Sequence, residues 1–390
     1  MKQDTVVVTA GRDPHGNHGV VNPPVYHAST ITFPTVAAIE EAGRHRFDPG
    51  QTYYGRYGTP TTFALEEAIA ALEGGYRSVT VGSGKAAIVA ALTAFLDAGD
   101  HLLMVDAAYG PTRAFCNRFL ARYGVKITYY DPLIGAGIAD LIRPETKVVF
   151  TESPGSQTFE VQDIPAIAET AHKAGCTVVL DNTWASPLLF KPFDHGVDVS
   201  IQAATKYIVG HSDAMMGMVT TTEAVHDRVR AATFELGAAS GPDDVYLAQR
   251  GLRTLGVRLE RHMKSGLAVA EWLQARPEVD RVLHPALPGD PGHAIWKRDF
   301  LGASGLFGVI LNPTPKSAVA AMLDGMELFA MGYSWGGYES LMVPTDPAQL
   351  RTATKWQAAG PSLRLHVGLE DVDDLIADLS AGFDRLNAAR

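Results

Sequence analysis

What most constrains this chain is a series of short, almost uninterrupted apolar segments separated by helix-forming stretches between residues 78 and 221. SVTV (78–81), HLLMV (101–105), ITYY (127–130), KVVF (147–150), TVVLD (177–181), VSIQAA (199–204) and MMGMVTT (215–221) read as strands. A strand apolar at successive positions, rather than at alternate ones, is covered on both faces. Helical stretches at about 84–96, 113–122 and 165–174 supply the cover. The pattern predicts an α/β fold with a mostly parallel, seven-stranded sheet. Such sheets take their ligands beyond the carboxyl ends of the strands.

The flanks read differently. Residues 1–60 are rich in Pro, Gly, Tyr and Thr and show no sustained period, so an irregular arm is expected there. A helix follows, with Leu65, Ile69 and Leu72 on one face and Gly74-Gly75 as its stop. From about residue 250, Leu252, Leu255, Leu259 and Met263 recur at helical spacing. The segments DRVLHP, LFGVILNP and SLRLHVG then alternate with helices near 316–324 and 371–386, which predicts a smaller α+β unit. The expected division is an arm over 1–60, a large domain over 61–250 and a small domain over 251–390.

Composition removes several function classes. A net charge of −10 with no dense Lys/Arg run argues against a nucleic-acid binder. No stretch approaches the roughly 20 apolar residues of a membrane helix, and the start MKQDTVVVTAGRD has no secretory pattern, so a cytoplasmic protein with soluble substrates is expected. Cys116 and Cys176 lie in no CxxC or Cys/His pair, and His211 and Asp213 in GHSD lack ligand spacing, so no metal site is expected.

Several residues fall where a crevice at the strand ends should lie. Lys206, in QAATKYIVGHSD, follows an apolar strand among small and apolar neighbours. Most lysines are surface residues, but a partly desolvated amine here would be neutral and nucleophilic enough to form a Schiff base. Asp181 ends the strand TVVLD, where it is either a turn-former or a carboxylate facing a bound ring. Gly84 and Lys85 open a helix after SVTVGS, a place where backbone amides can cradle one phosphate. A nucleotide P-loop is excluded, because Val79 and Ala86 stand where glycine and a metal-binding hydroxyl are needed. Tyr109, after HLLMV, can stack on a planar cofactor or pack in the core. Tyr54 and Arg56 in YYGRYGTP are two apart in an extended reading and form either a phosphate clamp or a solvated turn. Arg364 in SLRLHVG suits a substrate carboxylate if it faces inward.

Together these residues resemble those of a known family. YYGRYGTPT, GSGKAA, AAYGPT, ESPGS, DNTWASP, ATKYIVGHSD, GYSWGGYESL and RLHVGLEDVDDLI appear in order along essentially the whole chain. The sequence resembles the Cys/Met-metabolism pyridoxal-phosphate (PLP) enzymes, the cystathionine lyases and synthases, and within them the bacterial β-lyase branch. The resemblance implies the PLP-dependent transferase fold (fold type I, like aspartate aminotransferase), usually assembled as a homotetramer of two active dimers. It implies that Lys206 carries the cofactor and shuttles protons, that Asp181 meets the pyridinium nitrogen and that Tyr109 stacks on the ring. Gly84, Lys85, Thr205 and, from a neighbouring subunit, Tyr54 and Arg56 would bind the phosphate. Arg364 would hold the substrate carboxylate, helped by Ser334, Trp335 and Tyr54; Tyr333 and Arg56 are candidates for the distal substrate group.

Three departures shape the expectation. Ala203 stands where many relatives have a phosphate-binding Ser. Ser156 stands where γ-specific relatives have Asn, and Pro111 replaces a γ-lyase cysteine. Ser156 and Pro111, with Trp335 where γ-enzymes tend to have a Leu, resemble the β-lyase branch and imply α,β-elimination of a sulfur amino acid. A γ-lyase, γ-synthase or sulfhydrylase on the same scaffold is the rival enzyme. A catalytically dead binding protein is the rival from another class.

Overall fold

The computed structural model describes residues 1–390. Seven strands form the central sheet: β1 (Arg77–Val81), β2 (His101–Val105), β3 (Lys126–Tyr130), β4 (Thr146–Glu152), β5 (Thr177–Asp181), β6 (Val199–Gln202) and β7 (Gly217–Thr221). Their spatial order is β1-β7-β6-β5-β4-β2-β3. β7 runs antiparallel to both β1 and β6, and the remaining pairs are parallel, so every strand except β7 points the same way. The expected seven-stranded, mostly parallel sheet is therefore present. The central strands are apolar on both faces because helices cover both, and their residues join a core cluster of 45 buried residues.

A second, four-stranded antiparallel sheet has the order β10-β11-β9-β8, built from β8 (Val279–Leu283), β9 (Leu306–Leu311), β10 (Leu341–Thr345) and β11 (Ser362–His366). Its own core includes Phe307, Met342, Leu363 and Leu365, closed by the helices Lys316–Asp324 and Val372–Ala388. The apolar spacing from 252 onward belongs to two helices, Pro242–Leu252 and Leu255–Gln274, separated at Arg253–Thr254.

Two expectations need correction. Residues 1–60 are not irregular throughout: helices span Gln3–Thr9 and Val36–Arg44. The first buries Val7 against Leu65, Ile69 and Leu255, a tertiary contact that a seven-residue helix needs and that local periodicity does not reveal. The stretch that reads as one helix near 113–122 is a composite of a short α-helix over Gly110–Phe115, a π-helical turn over Cys116–Leu120 and a 3-10 turn over Ala121–Tyr123.

Candidate active site

Because all but one strand of the large sheet are co-directional, their carboxyl ends open on one edge. That edge collects Gly84 after β1, Tyr109 after β2, Glu152 ending β4, Asp181 ending β5 and Lys206 after β6. This is the crevice position at which open α/β sheets bind ligands.

Lys206 Nζ lies 2.6 Å from Ser334 Oγ and 5.3 Å from the centre of the Trp335 ring. Burial lowers its pKa to about 8; the Arg364 cation lowers it further and the Asp181 carboxylate opposes both. An amine held this way loses its proton far more readily than a surface lysine. Asp181 is almost wholly buried, and burial raises its carboxyl. Two hydrogen bonds from Thr183, its N–H at 3.1 Å and its hydroxyl at 2.6 Å, favour the ionised form, both on Oδ1. Oδ2 is left for another partner.

Glu152 is the in-register neighbour of Asp181 on the adjacent strand. It accepts the Tyr109 N–H at 2.8 Å, and burial together with the Asp181 charge pushes its carboxyl well up. The Tyr109 phenol is pushed up by burial, then by Glu152 and Asp181, while Arg364 opposes. With 45% of its surface exposed, the Tyr109 residue lies open to the crevice rather than packed in the core.

The helix Gly84–Thr93 begins at this edge. Ser83 caps it by accepting the Ala86 N–H at 3.1 Å. The N–H groups of Gly84 and Lys85 make no bond within the chain, as first-turn amides cannot within the helix itself. Glycine at 84 is a packing requirement, since a Cβ there would stand 2.5 Å from Ala203 Cβ. The Lys85 side chain donates to the Pro111 carbonyl, so only the Lys85 backbone serves the cradle.

The second sheet supplies the opposite wall. Arg364 on β11 donates from Nη2 to the carbonyls of Ser334 (3.1 Å) and Gly332 (3.5 Å). Its Nη1 and Nε make no bond within the chain, which leaves donors for a carboxylate. Alternation along β11 places Arg364 opposite Leu363 and Leu365; that face turns to the crevice rather than to solvent.

Other candidates are placed differently. The Thr205 hydroxyl accepts the Met216 N–H at 2.9 Å and donates to the Met216 carbonyl at 3.1 Å, so its proton is already engaged. Tyr54 and Arg56 are not an extended pair aimed together: Arg56 belongs to a 3-10 turn and donates to the Phe234 carbonyl, while Tyr54 is 42% exposed. Tyr333 is 94% exposed. Sequence reasoning does not single out Glu152, Thr183 or His366. Glu152 carries the same signal as Asp181, a carboxylate ending an apolar strand; the other two carry none.

The residues fit pyridoxal phosphate. A buried amine, a buried carboxylate with one free oxygen, unpaired helix-start amides and a partly open tyrosine ring converge on one crevice, and glycine at 84 lets the helix start pack directly on Ala203.

Comparisons agree with this site. The sequence profile of the Cys/Met metabolism PLP-dependent enzymes matches residues 4–384. Cystathionine beta-lyase MetC of Escherichia coli is 48% identical over 99% of this chain and 99% of its own. An L-alanine/L-glutamate racemase of Wolbachia pipientis is 39% identical over 99% of this chain and 98% of its own. The crystal structure of metB from Corynebacterium glutamicum superposes with a TM-score of 0.90 at 30% identity, covering 99% of this chain and 98% of that one. The chain belongs to the Cys/Met metabolism PLP-dependent enzymes.

Proposed function

We propose that this enzyme is a carbon–sulfur lyase that cleaves L-cystathionine at the β carbon, giving homocysteine, pyruvate and ammonia with uptake of water. The observation that carries the reading is the convergence of Lys206, Asp181 and Arg364, close enough that both charged groups act on the Lys206 amine.

The cofactor, once bound, supplies an electron sink for the α carbon. The chain's own residues do the rest. Arg364 presents Nη1 and Nε to the substrate carboxylate and so fixes the α carbon. Lys206, with its pKa held near 8, takes the α-proton and returns it to the departing sulfur. Tyr109, whose raised pKa keeps the phenol protonated at neutral pH, is a second proton donor to sulfur. Asp181 would keep the pyridine nitrogen protonated, and Glu152 holds the Tyr109 backbone through its N–H. The Gly84 and Lys85 amides would hold the phosphate, and Ser334 and Trp335 would flank the substrate.

The β-cleavage reading is supported by the names of the relatives between 42% and 48% identity and by Trp335 beside Lys206. We further propose that Tyr54 and Arg56 act in the site of a second copy within a cytoplasmic homotetramer. The exposure of Tyr54 and the free, buried Cys116 and Cys176 support this. No helix is long and apolar enough to cross a membrane.

The test is product analysis across S-substituted amino acids. Pyruvate from L-cystathionine is expected. 2-Oxobutyrate would transfer the assignment to γ-cleavage. Racemisation of alanine or glutamate without keto acid would transfer it to the activity printed for the Wolbachia relative.

A further inference from the structure

The loop between Ala330 and Leu341 carries Ser334 and Trp335, and its shape is costly. Ser334 has φ 80°, a left-handed conformation that side chains disfavour, and Gly336 has φ 87°. A Cβ on Gly336 would stand 2.8 Å from the backbone of Lys206 and Tyr207, so the loop rests on the segment bearing the catalytic amine. A strained loop keeps its shape only if its surroundings impose it.

Two side chains of β11 reach it. Arg364 takes the carbonyls of Gly332 and Ser334. Two residues on, and therefore on the same face of the strand, His366 takes the other end. Its Nε2 lies 3.1 Å from the Gly336 N–H and 3.1 Å from the Gly337 carbonyl. His366 is wholly buried, and burial holds it neutral with a pKa of about 3. A neutral ring nitrogen either accepts or donates, so Nε2 grips the turn through one of the two groups at a time.

The neighbouring His262 favours one tautomer. His262 donates from Nδ1 to the Val367 carbonyl at 2.8 Å, which makes its Nε2 an acceptor, and that atom is buried without a partner. His366 Nδ1 is likewise buried without a partner, and the two rings are 5.1 Å apart. A proton on His366 Nδ1 makes the orphaned pair complementary and leaves Nε2 free to accept from Gly336.

We infer that His366 is a positioning residue for the substrate: by gripping Gly336–Gly337 it holds Ser334 and Trp335 against Lys206. The inference rests on the lyase reading of the same site. Loss of the grip lets the loop relax away from its left-handed turn, and the wall of the substrate cleft moves with it. Asp181 and the Gly84–Lys85 helix start are set by the large sheet and make no hydrogen bond to His366 or to the loop, so they are expected to keep their places.

The experiment compares His366→Phe, which keeps a ring and loses the grip, with His366→Gln, whose amide can accept from Gly336 and donate to Gly337. Three readouts are taken on the holoenzyme: KM and kcat for L-cystathionine, the dissociation constant of L-alanine (a carboxylate-bearing amino acid with no leaving group) from the cofactor absorption band, and the melting temperature. For His366→Phe, KM and the L-alanine constant are expected to rise about tenfold with the cofactor band of the resting enzyme unchanged; His366→Gln is expected to recover most of the loss. Should His366→Phe not fold, His366→Asn, too short to reach the turn, replaces it with the same expectation. Unchanged KM and L-alanine binding with only a lower melting temperature would overturn the role, as would a Gln variant no better than Phe or Asn. Failure of the lyase reading is separate: the unmutated enzyme would then release no pyruvate from cystathionine, whatever the variants do with L-alanine.

Discussion

The two walls of the crevice are built on different principles. One is the carboxyl edge of the large sheet. Asp181 and Glu152 are in-register neighbours on buried strands, and Lys206 follows a third strand by four residues. Their positions are fixed by backbone ladders and by a core on both faces. The other wall is a loop between β10 and the helix before it, with non-glycine backbone in the left-handed region, kept in place by two side chains from β11. The contrast teaches where an enzyme of this architecture can change. On the proposed roles, the cofactor-facing residues sit on the wall set by strand ladders, and the substrate-facing Ser334 and Trp335 sit on the wall held by a few hydrogen bonds.

The largest expected effect breaks the rigid wall at its reactive point. Lys206→Ala should lower pyruvate release by at least about 10³-fold, since a nucleophile and a proton shuttle go together. The melting temperature should hardly fall, because the strands that position residue 206 are untouched. A large loss of stability would show that the two walls are not independent. On the gripped wall, Arg364→Lys removes the guanidinium fork and both loop hydrogen bonds. KM for cystathionine should rise about 10- to 100-fold, as expected when charge-assisted hydrogen bonds worth about 1.5–3 kcal/mol are lost. The fall in kcat should be smaller.

A third test asks what the rigid wall costs. Lys206 has its pKa lowered from 10.5 to about 8, so between those values the unfolded chain binds more protons than the folded one. Stability of the cofactor-free protein therefore rises with pH across that window, and at pH 7 the full penalty is present. Lys206→Met should stabilise the cofactor-free protein at pH 7 by up to about 3 kcal/mol, and the gain should vanish as pH climbs from 8 towards 10.5. Urea melts at pH 7 and pH 10 decide it. An equal gain at both would show that packing, not the buried charge, is responsible.

The same contrast governs what can be read from the sequence. Strand-borne residues announce themselves, because a polar residue ending an apolar run must lie at a sheet edge. Asp181 is legible that way, and Glu152 carries the same mark. β10 is hidden, since LMVPT contains a proline and follows a loop rich in glycine. The inward turn of Arg364 is ambiguous because alternation tells which residues share a face but not which face is wet. His366 is invisible: a histidine between Leu365 and Val367 says nothing of a backbone turn 30 residues earlier in the chain. Short-range patterns report burial, whereas a grip between distant segments exists only after folding.

The smallest expected effect sharpens the comparison at the cradle, where the rigid wall has no slack. Gly84→Ala adds a Cβ 2.5 Å from Ala203 Cβ and 3.0 Å from Ala203 Cα, both on backbone fixed by β1 and β6. Neither element can yield cheaply, so the change should cost about 1–3 kcal/mol, typical of overpacking a filled site. It should also weaken cofactor binding as the Gly84 and Lys85 amides are pushed out of line. Ala203→Gly in the same chain removes the nearer clash but leaves the backbone of residue 203 in the way, so recovery should be partial. The substrate wall is not involved. Once cofactor is saturating, KM for cystathionine should be unchanged in both variants, and a raised KM would mean that the cradle and the gripped loop move together.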